Sequence, residues 1–435
     1  MALRFLRARG ADAREIRGAV CGQIHVVPTS VRILHTSDWH LGHALHDLPR
    51  DREHAGFLRW LLDTLDAEAI DAVLVSGDIF DAGNPPATAL AAWYGFLAEA
   101  HRRRPHLTVV AIAGNHDSPA RLTAPAALLA GVGARVIGSI ARDGAGRLDA
   151  ARLVVPLADA SGAVRAVVAA VPYLRPGDVD GDRGDAVRAV FADALAAARA
   201  RRQPDQALLA MGHLHLAGGE PSTASERRLT IGGREVIGGG FADDVAYVAL
   251  GHLHRAQRVG ADHVRYAGSP IPLAMAEAEY RHQVAVIELD GPGLSGIRTL
   301  PVPRVVELVR VPPRGAAPLP EVLAALAALP PFDPDADLDL RPYLDVRVAL
   351  DAPAPRLHQE LERVLRDRHP RLVKLTLEAT GDRRALADAA PTEVLAQLDP
   401  REVLARLWRR DHAGDVPPAI ADAFETVLRD VEAGP

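Results

Sequence analysis

Acidic, imidazole and amide side chains recur at five points along the chain, each directly after a short apolar run. They are Asp38 with His40, Asp78, Asn115 with His116, His213, and His252 with His254. Together they offer a mixed set of nitrogen and oxygen donors, which suits Mn²⁺, iron or Zn²⁺ better than Ca²⁺. With His116 set aside, the donors are too many for one ion and match two ions, for which Asp78 is the candidate bridge. The pattern therefore predicts a two-metal centre.

Each segment has a simpler interpretation when it is taken alone. An Asp-x-His segment is usually a turn, and a single histidine such as His213 is often a buried core residue. Asn115 and its neighbours also have the composition of a helix start, where a polar side chain caps the first turn. Because every segment follows an apolar run, one shared metal site explains the set better than several unrelated turns.

The first three segments require strands that end at a common edge. The apolar runs Val31–Thr36, Ala72–Val75 and Leu107–Ala113 predict these strands. Helical periodicity over Asp51–Leu65 and Ala87–Arg103 predicts helices between them. Alternating strands and helices indicate a sheet covered by helices. In such sheets the carboxyl ends of the strands form the ligand-binding edge.

The middle of the chain is richer in strands. The strands Ala207–Met211 and Val245–Leu250 lead into two Gly-His-Leu-His segments, and an Ala-rich helix is predicted over Asp185–Arg201. The other strands predicted here are Arg135–Ile137, Leu153–Pro156, Val164–Val171, His263–Tyr266 and Gln283–Leu289.

A change of composition follows residue 300, where prolines become frequent. Residues 305–377 predict a small α+β domain with helices over Pro320–Leu329 and Arg356–Arg368. Two amphipathic helices are predicted over residues 391–410 and 418–431. With no strand to cover, they are candidates for contact with a partner protein.

The order of the motifs resembles that of the calcineurin-like metallophosphoesterases. Three segments carry a closer resemblance, to the SbcD family of nuclease subunits: Ile33–Gly42, Gly251–Gln257 and Tyr266–Leu273. The resemblance implies a four-layer α/β/β/α nuclease core over residues 31–300. It further implies a small α+β DNA-capping domain over residues 301–380 and C-terminal helices over residues 385–435.

The same resemblance implies roles for individual residues. One metal ion would bind Asp38, His40, Asp78 and His254, and the second would bind Asp78, Asn115, His213 and His252. Family members use Mn²⁺. His116 would contact the scissile phosphate, with Asp117 orienting its ring. His215 is not part of the family motif, and a role as a neighbouring surface residue is favoured over that of a spare ligand.

The activity implied by the resemblance is DNA hydrolysis in complex with the ATPase subunit SbcC. The complex would act as an ATP-dependent double-strand exonuclease and a single-strand or hairpin endonuclease in DNA repair, recombination and replication. A homodimer of the nuclease subunit is also implied. The C-terminal helices would dock on SbcC or pack on their own domain.

Other functions are compatible with parts of this pattern. A metallophosphoesterase acting on a non-DNA phosphodiester needs the same metals, and a DNA-end-tethering scaffold would need none of them. A protein phosphatase of this superfamily would carry Arg after Asp81 and Glu after His116. The chain has Ala82 and Asp117 at these positions, which argues against a phosphatase.

Composition limits the remaining possibilities. The net charge of −6 means that DNA would have to meet local basic groups, for which Arg102–Arg104, Arg201–Arg202 and Arg227–Arg228 are candidates. A single cysteine, Cys21, excludes a disulfide framework and favours a reducing, cytoplasmic compartment. Residues 1–30 lack a clear period and are expected to be a disordered extension or to precede the true start at Val31.

Overall fold

The computed structural model describes residues 30–179, 182–222, 241, 243–351 and 354–379, with single positions between 404 and 424. The extension at residues 1–29 and nearly all of the two C-terminal helices lie outside the described residues. Among those described, no helix is long and apolar enough to span a bilayer.

The described part of the chain contains the following helices and strands. The strands are β1 (Ser30–Thr36), β2 (Ala44–Leu45), β3 (Leu48–Pro49), β4 (Ala72–Ser76), β5 (Thr108–Ile112), β6 (Ala134–Ile137), β7 (Val154–Ala158), β8 (Val164–Val171), β9 (Ala207–His213), β10 (Tyr247–Gly251), β11 (Gln257–Val259), β12 (Ala261–Tyr266), β13 (Gln283–Asp290), β14 (Gly293–Pro301), β15 (Leu308–Val311), β16 (Ala317–Pro318), β17 (Tyr343–Leu350) and β18 (Arg371–Ala379). The helices are α1 (Asp51–Ala67), α2 (Ala87–Arg103), α3 (Pro119–Thr123), α4 (Ala126–Gly131), α5 (Arg183–Arg201), α6 (Leu319–Ala327) and α7 (Leu357–Leu365).

Two six-stranded sheets pack face to face and form the centre of the molecule. The first has the order β14-β13-β1-β4-β5-β6, and the second has the order β11-β12-β10-β9-β8-β7. Their inner faces share one apolar cluster that includes Ile33, Leu74, Val168, Met211 and Tyr247. Parallel pairing of β1, β4 and β5, and of β8, β9 and β10, directs the carboxyl ends of these strands to one edge of the sandwich.

Helices cover both outer faces of the sandwich. Leu61 of α1 and Trp93 of α2 pack on the first sheet, and both side chains are fully buried. Phe191 and Ala194 of α5 pack on the second sheet. The four layers are therefore helix, sheet, sheet and helix, and the predicted α/β/β/α core is confirmed.

Residues 308–379 form a separate small sheet with its own apolar cluster. Strand β17 pairs in parallel with β15, β16 and β18, and helices α6 and α7 cover it with Leu326 and Leu361. Strand β14 was not predicted from the sequence, because Gly293, Gly296 and Pro301 weaken the strand pattern at this sheet edge.

Candidate metal centre

The strand ends of the two sheets touch each other at the site. A Cβ atom on Gly77 would lie 2.3 Å from His213 Nδ1, and one on Gly251 would lie 1.9 Å from the carbonyl oxygen of Ser76. Contacts this short exclude any side chain at either position. Glycine therefore permits β4 of the first sheet to meet β9 and β10 of the second.

Several of the predicted ligands have left-handed backbone conformations. The φ angles are +53° at Asp38, +47° at His40, +49° at Asp78 and +104° at His252. Such conformations cost non-glycine residues about 1–3 kcal/mol, persist where surrounding contacts fix them and cluster at functional sites. Here the turns are fixed by backbone hydrogen bonds from Asp38 N to Gly77 O and from His40 N to Asp78 O, both 3.0 Å long.

The predicted ligands converge into one buried cluster. Three groups have ligand atoms within 4.8 Å of one another: Asp38, His40 and His254; His40, Asp78 and His116; and Asp38, Asp78 and His213. Asn115 joins them, because its Oδ1 lies 2.9 Å from His213 Nε2 and 3.0 Å from His252 Nδ1. His252 also donates its backbone N–H to Asp38 Oδ1 at 3.0 Å.

Asp78 lies between the two predicted ion positions. Its Oδ2 atom is 3.6 Å from His40 Nε2, which belongs to the first predicted ion, and 3.4 Å from His213 Nε2, which belongs to the second. Its other oxygen, Oδ1, accepts the backbone N–H of His116 at 2.9 Å. This position is the one that a bridging carboxylate would occupy.

The imidazole orientations fit a divalent cation. The Nδ1 atoms of His40, His254 and His213 lie 2.9–3.1 Å from Asp81, Glu277 and the carbonyl oxygen of Ser76, respectively. An imidazole whose Nδ1–H is held in this way presents an unprotonated Nε2, which is how histidines are prepared as metal ligands. In keeping with this, the buried Nε2 of His40 has no hydrogen-bond partner among the described residues.

The charges of the cluster also favour a cation. Burial by itself would raise the pKa of Asp78, but His213 and His40 hold that pKa well below its usual range. Burial lowers the pKa of His213, and the Asp78 charge more than offsets this effect and raises it to about 9. The buried Asp78 carboxylate thus stays ionised and attracts positive charge to the point between the two sheets.

The role expected for Asp117 is wrong, because its carboxylate does not orient the His116 ring. That carboxylate accepts three backbone N–H groups, from Gly114 at 2.8 Å, Phe80 at 2.9 Å and Ile79 at 3.2 Å. Burial, with the Asp78 charge, raises the pKa of Asp117 to about 6. Asp117 therefore ties the turn after β5 to the turn after β4.

The His116 ring is held by a backbone oxygen instead. Its Nδ1 donates to the carbonyl oxygen of Asp81 at 2.7 Å, which leaves Nε2 for a substrate. His215 belongs to none of the three ligand groups found among the described residues, and its Nε2 lies 3.2 Å from the carbonyl oxygen of Gly219. This contact agrees with the interpretation of His215 as a neighbour of the site.

Sequence reasoning missed the carboxylates behind the ligands. Asp81 lies behind both His40 and His43, and the fully buried Glu277 lies behind His254. Asp81 stands three residues after Asp78 in a Gly-Asp-x-x-Asp segment, which is a local signal. Glu277 has no comparable signal, because it reaches the site from a short helical turn 23 residues after His254.

The arginine candidates for DNA contact are largely engaged with other groups. Arg102 and Arg103 both bind Glu99, and Arg103 also binds Asp63. Arg201 donates to the carbonyl oxygen of Ala151 at 3.1 Å. Arg227 and Arg228 lie outside the described residues.

Comparison with known proteins agrees with this geometry. The calcineurin-like phosphoesterase family matches residues 31–256, and the family described as type 5 capsule protein repressor C-terminal domain matches residues 304–412. The D subunit of the SbcCD nuclease of Rhodobacter capsulatus is 40% identical over 84% of this chain and 92% of its own length. The Escherichia coli K12 protein of the same name is 34% identical over 63% of this chain and 68% of its own.

Among solved structures, the protein TT1561 of Thermus thermophilus aligns with 63% of this chain and 99% of its own, with 16% identity and a TM-score of 0.33. The family matches and the curated relatives agree on the class of enzyme. The chain therefore belongs to the SbcD nuclease subunits of the calcineurin-like phosphoesterase family, and it is a metal-dependent phosphodiesterase.

Proposed function

We propose that this chain uses two Mn²⁺ ions to hydrolyse DNA phosphodiesters as the nuclease subunit of a complex with an SbcC ATPase. The observation that carries this proposal is the position of Asp78 Oδ2, 3.6 Å from His40 Nε2 and 3.4 Å from His213 Nε2. A single carboxylate between two sets of imidazoles is the arrangement that a two-ion centre requires.

In this proposal the ligands divide into two sets that share one member. The first ion takes Asp38, His40, Asp78 and His254, and the second takes Asp78, Asn115, His213 and His252. Bound ions would act as Lewis acids and lower the pKa of a coordinated water. The mixed nitrogen and oxygen donors suit Mn²⁺.

His116 is the proposed contact to the scissile phosphate. Its Nδ1–H is held by the carbonyl oxygen of Asp81, so the ring is fixed before substrate arrives. Its Nε2 is the atom that would donate to a phosphate oxygen, or pass a proton to the leaving sugar oxygen. Asp117 acts at one remove by holding the turn on which His116 stands.

Duplex DNA and the ATPase enter the proposal through the curated relatives, which are named as subunits of SbcCD. Residues 308–379 pack against the core near Met275 through Val306 and Tyr343, and this small unit is the proposed cap over DNA. The C-terminal segment 385–435 is the proposed docking site for SbcC. ATP-dependent double-strand exonuclease and hairpin endonuclease activities are proposed for the complex.

Removal and return of metal test the proposal directly. The complex is stripped with a chelator and assayed on hairpin, single-stranded and duplex DNA with no metal, Mn²⁺ or Ca²⁺, each with and without ATP. Cleavage should vanish on stripping and return with Mn²⁺ only, because Ca²⁺ prefers an all-oxygen site. Full cleavage by the metal-free complex, or no cleavage of any DNA with Mn²⁺ and ATP, would contradict it.

The proposed assembly includes a homodimer formed through an apolar groove between α2 and α4. Leu90, Tyr94, Leu97, Leu129 and Val132 line this groove, and Leu128 beside it is 78% exposed. An exposed apolar surface of this kind marks an interaction site.

Leu128→Asp should convert the homodimer into a monomer, because it places a charge in the apolar contact. Light scattering of the purified nuclease subunit measures this change. Leu338→Asp, which alters a 54% exposed leucine outside the groove, is the matched control. A Leu128→Asp protein of unchanged dimer mass would refute the assignment of this groove.

A further inference from the structure

The backbone of Leu273 is used on both sides by groups that lead to predicted metal ligands. Its N–H donates to Glu277 Oε2 at 2.7 Å, and its carbonyl oxygen accepts His43 Nε2 at 3.0 Å. Leu273 ends the Gly-Ser-Pro-Ile-Pro-Leu segment that helps to identify the family, and the proposed reaction gives this segment no role. One peptide therefore lies at the junction of two hydrogen-bond chains.

The first chain runs through Glu277 to His254. Glu277 is fully buried, and its Oε1 lies 3.1 Å from His254 Nδ1 while its Oε2 is held by Leu273. A buried carboxylate is costly unless it is hydrogen-bonded, so this side chain has a fixed position. It thereby fixes the ring of His254, with Nδ1 as the protonated nitrogen.

The second chain runs through His43 and Asp81 to His40. His43 Nδ1 lies 3.1 Å from Asp81 Oδ1, and the same oxygen lies 3.0 Å from His40 Nδ1. Both imidazoles of one proposed ion site are thus traced back to the same peptide. We call Glu277, His43, Asp81 and the backbone of Leu273 the Leu273 clamp.

The second proposed ion site is supported differently. His213 Nδ1 donates to the carbonyl oxygen of Ser76 at 2.9 Å, and His252 Nδ1 lies 3.0 Å from Asn115 Oδ1. Among the described contacts of these two rings, the partners at Nδ1 are neutral oxygens. The carboxylates of the clamp, which raise the basicity of an imidazole ligand, stand behind the first site alone.

We propose that Glu277 is a positioning residue for His254, and that the Leu273 clamp sets the affinity of the first ion site without contributing to the second. This inference rests on the two-ion centre proposed above. The side chain of Glu277 acts through the ring of His254 and has no contact with the substrate in this scheme.

Glu277→Gln separates this role from simple packing. The glutamine oxygen can still accept the Leu273 N–H, but its amide group then turns an N–H₂ toward His254 Nδ1–H. Two donors cannot pair, so the ring must rotate or move its proton to Nε2, the atom that would bind the ion. Size and burial stay nearly unchanged.

The experiment is calorimetric titration of Mn²⁺ into the full-length, chelator-treated protein. Wild-type protein should bind two ions, and Glu277→Gln should bind one of them about 10–100-fold more weakly with the other unchanged. Asp71→Asn is the matched control, since Asp71 is a buried carboxylate that accepts the Arg32 N–H far from the ligands. Its two ions should bind as in wild type.

Equal binding of both ions by a folded Glu277→Gln protein would overturn the clamp. If this variant fails to fold, as judged by thermal unfolding, His43→Gln at the more accessible end of the clamp decides the question. It should weaken the same single ion, and unchanged affinity would overturn the inference. A wild-type protein that binds fewer than two ions would instead contradict the proposed two-ion centre.

Discussion

Asp78→Asn is expected to abolish Mn²⁺-dependent DNA cleavage while leaving the fold and DNA binding by the complex intact. Asparagine tolerates the left-handed backbone of position 78, where φ is +49°, better than alanine does. Its amide oxygen can keep the hydrogen bond from the His116 N–H. What it loses is the negative charge between His40 and His213, which is the charge that would hold two ions together.

The cleavage rate should fall on the order of 10³-fold or more, because misplaced ions lose both water activation and alignment of the substrate. Asp78→Ala should be as inactive and also less stable, since it removes the hydrogen bond and retains the strained φ. Nuclease assays with Mn²⁺ and thermal unfolding measure the two effects. Normal cleavage by purified Asp78→Asn would sink the two-ion scheme.

His116→Gln is expected to lower the turnover number by roughly 10²–10⁴-fold, the range for loss of a general acid or of a donor to the transition state. The ions should remain bound, because His116 belongs to neither proposed ligand set. Steady-state kinetics on a DNA hairpin and Mn²⁺ titration test the two halves of this expectation.

His215→Gln is the matched control for this second prediction. It removes a neighbouring imidazole whose ring centre lies 6.5 Å from that of His252 and that belongs to no ligand group among the described residues. Its turnover should stay close to that of wild type. If His116→Gln loses an ion, or cleaves DNA at the wild-type rate, His116 is not the phosphate contact.

Much of the site was predictable because the ligands are tied to strand ends. A short apolar run followed by Gly-Asp or Gly-His reports both a strand and the place where it stops, and parallel strands bring those places to one edge. The positions of Asp38, Asp78 and His213 follow from this rule. The rule says nothing about which peptide or carboxylate lies behind each ring.

The partners behind the ligands depend on contacts that no local pattern encodes. Asp117 seemed suited to orient His116, its neighbour in sequence, yet its carboxylate is taken by three backbone N–H groups. Glu277 reaches His254 only because the chain between them turns back through Leu273. Tertiary packing decides such pairs, and sequence spacing does not reveal them.

The position of the metal centre between the two sheets has a consequence for how the protein matures. Asp38, His40, Asp78 and Asn115 follow strands of the first sheet, whereas His213, His252 and His254 belong to strand ends of the second. A growing chain with only the strands of the first sheet up to β6 folded holds oxygen ligands and one imidazole, without the histidines that complete either ion site. Ion capture then follows the docking of the two halves, so that hydrolytic competence reports complete folding. The ions would act as a checkpoint that keeps a half-finished nuclease inert.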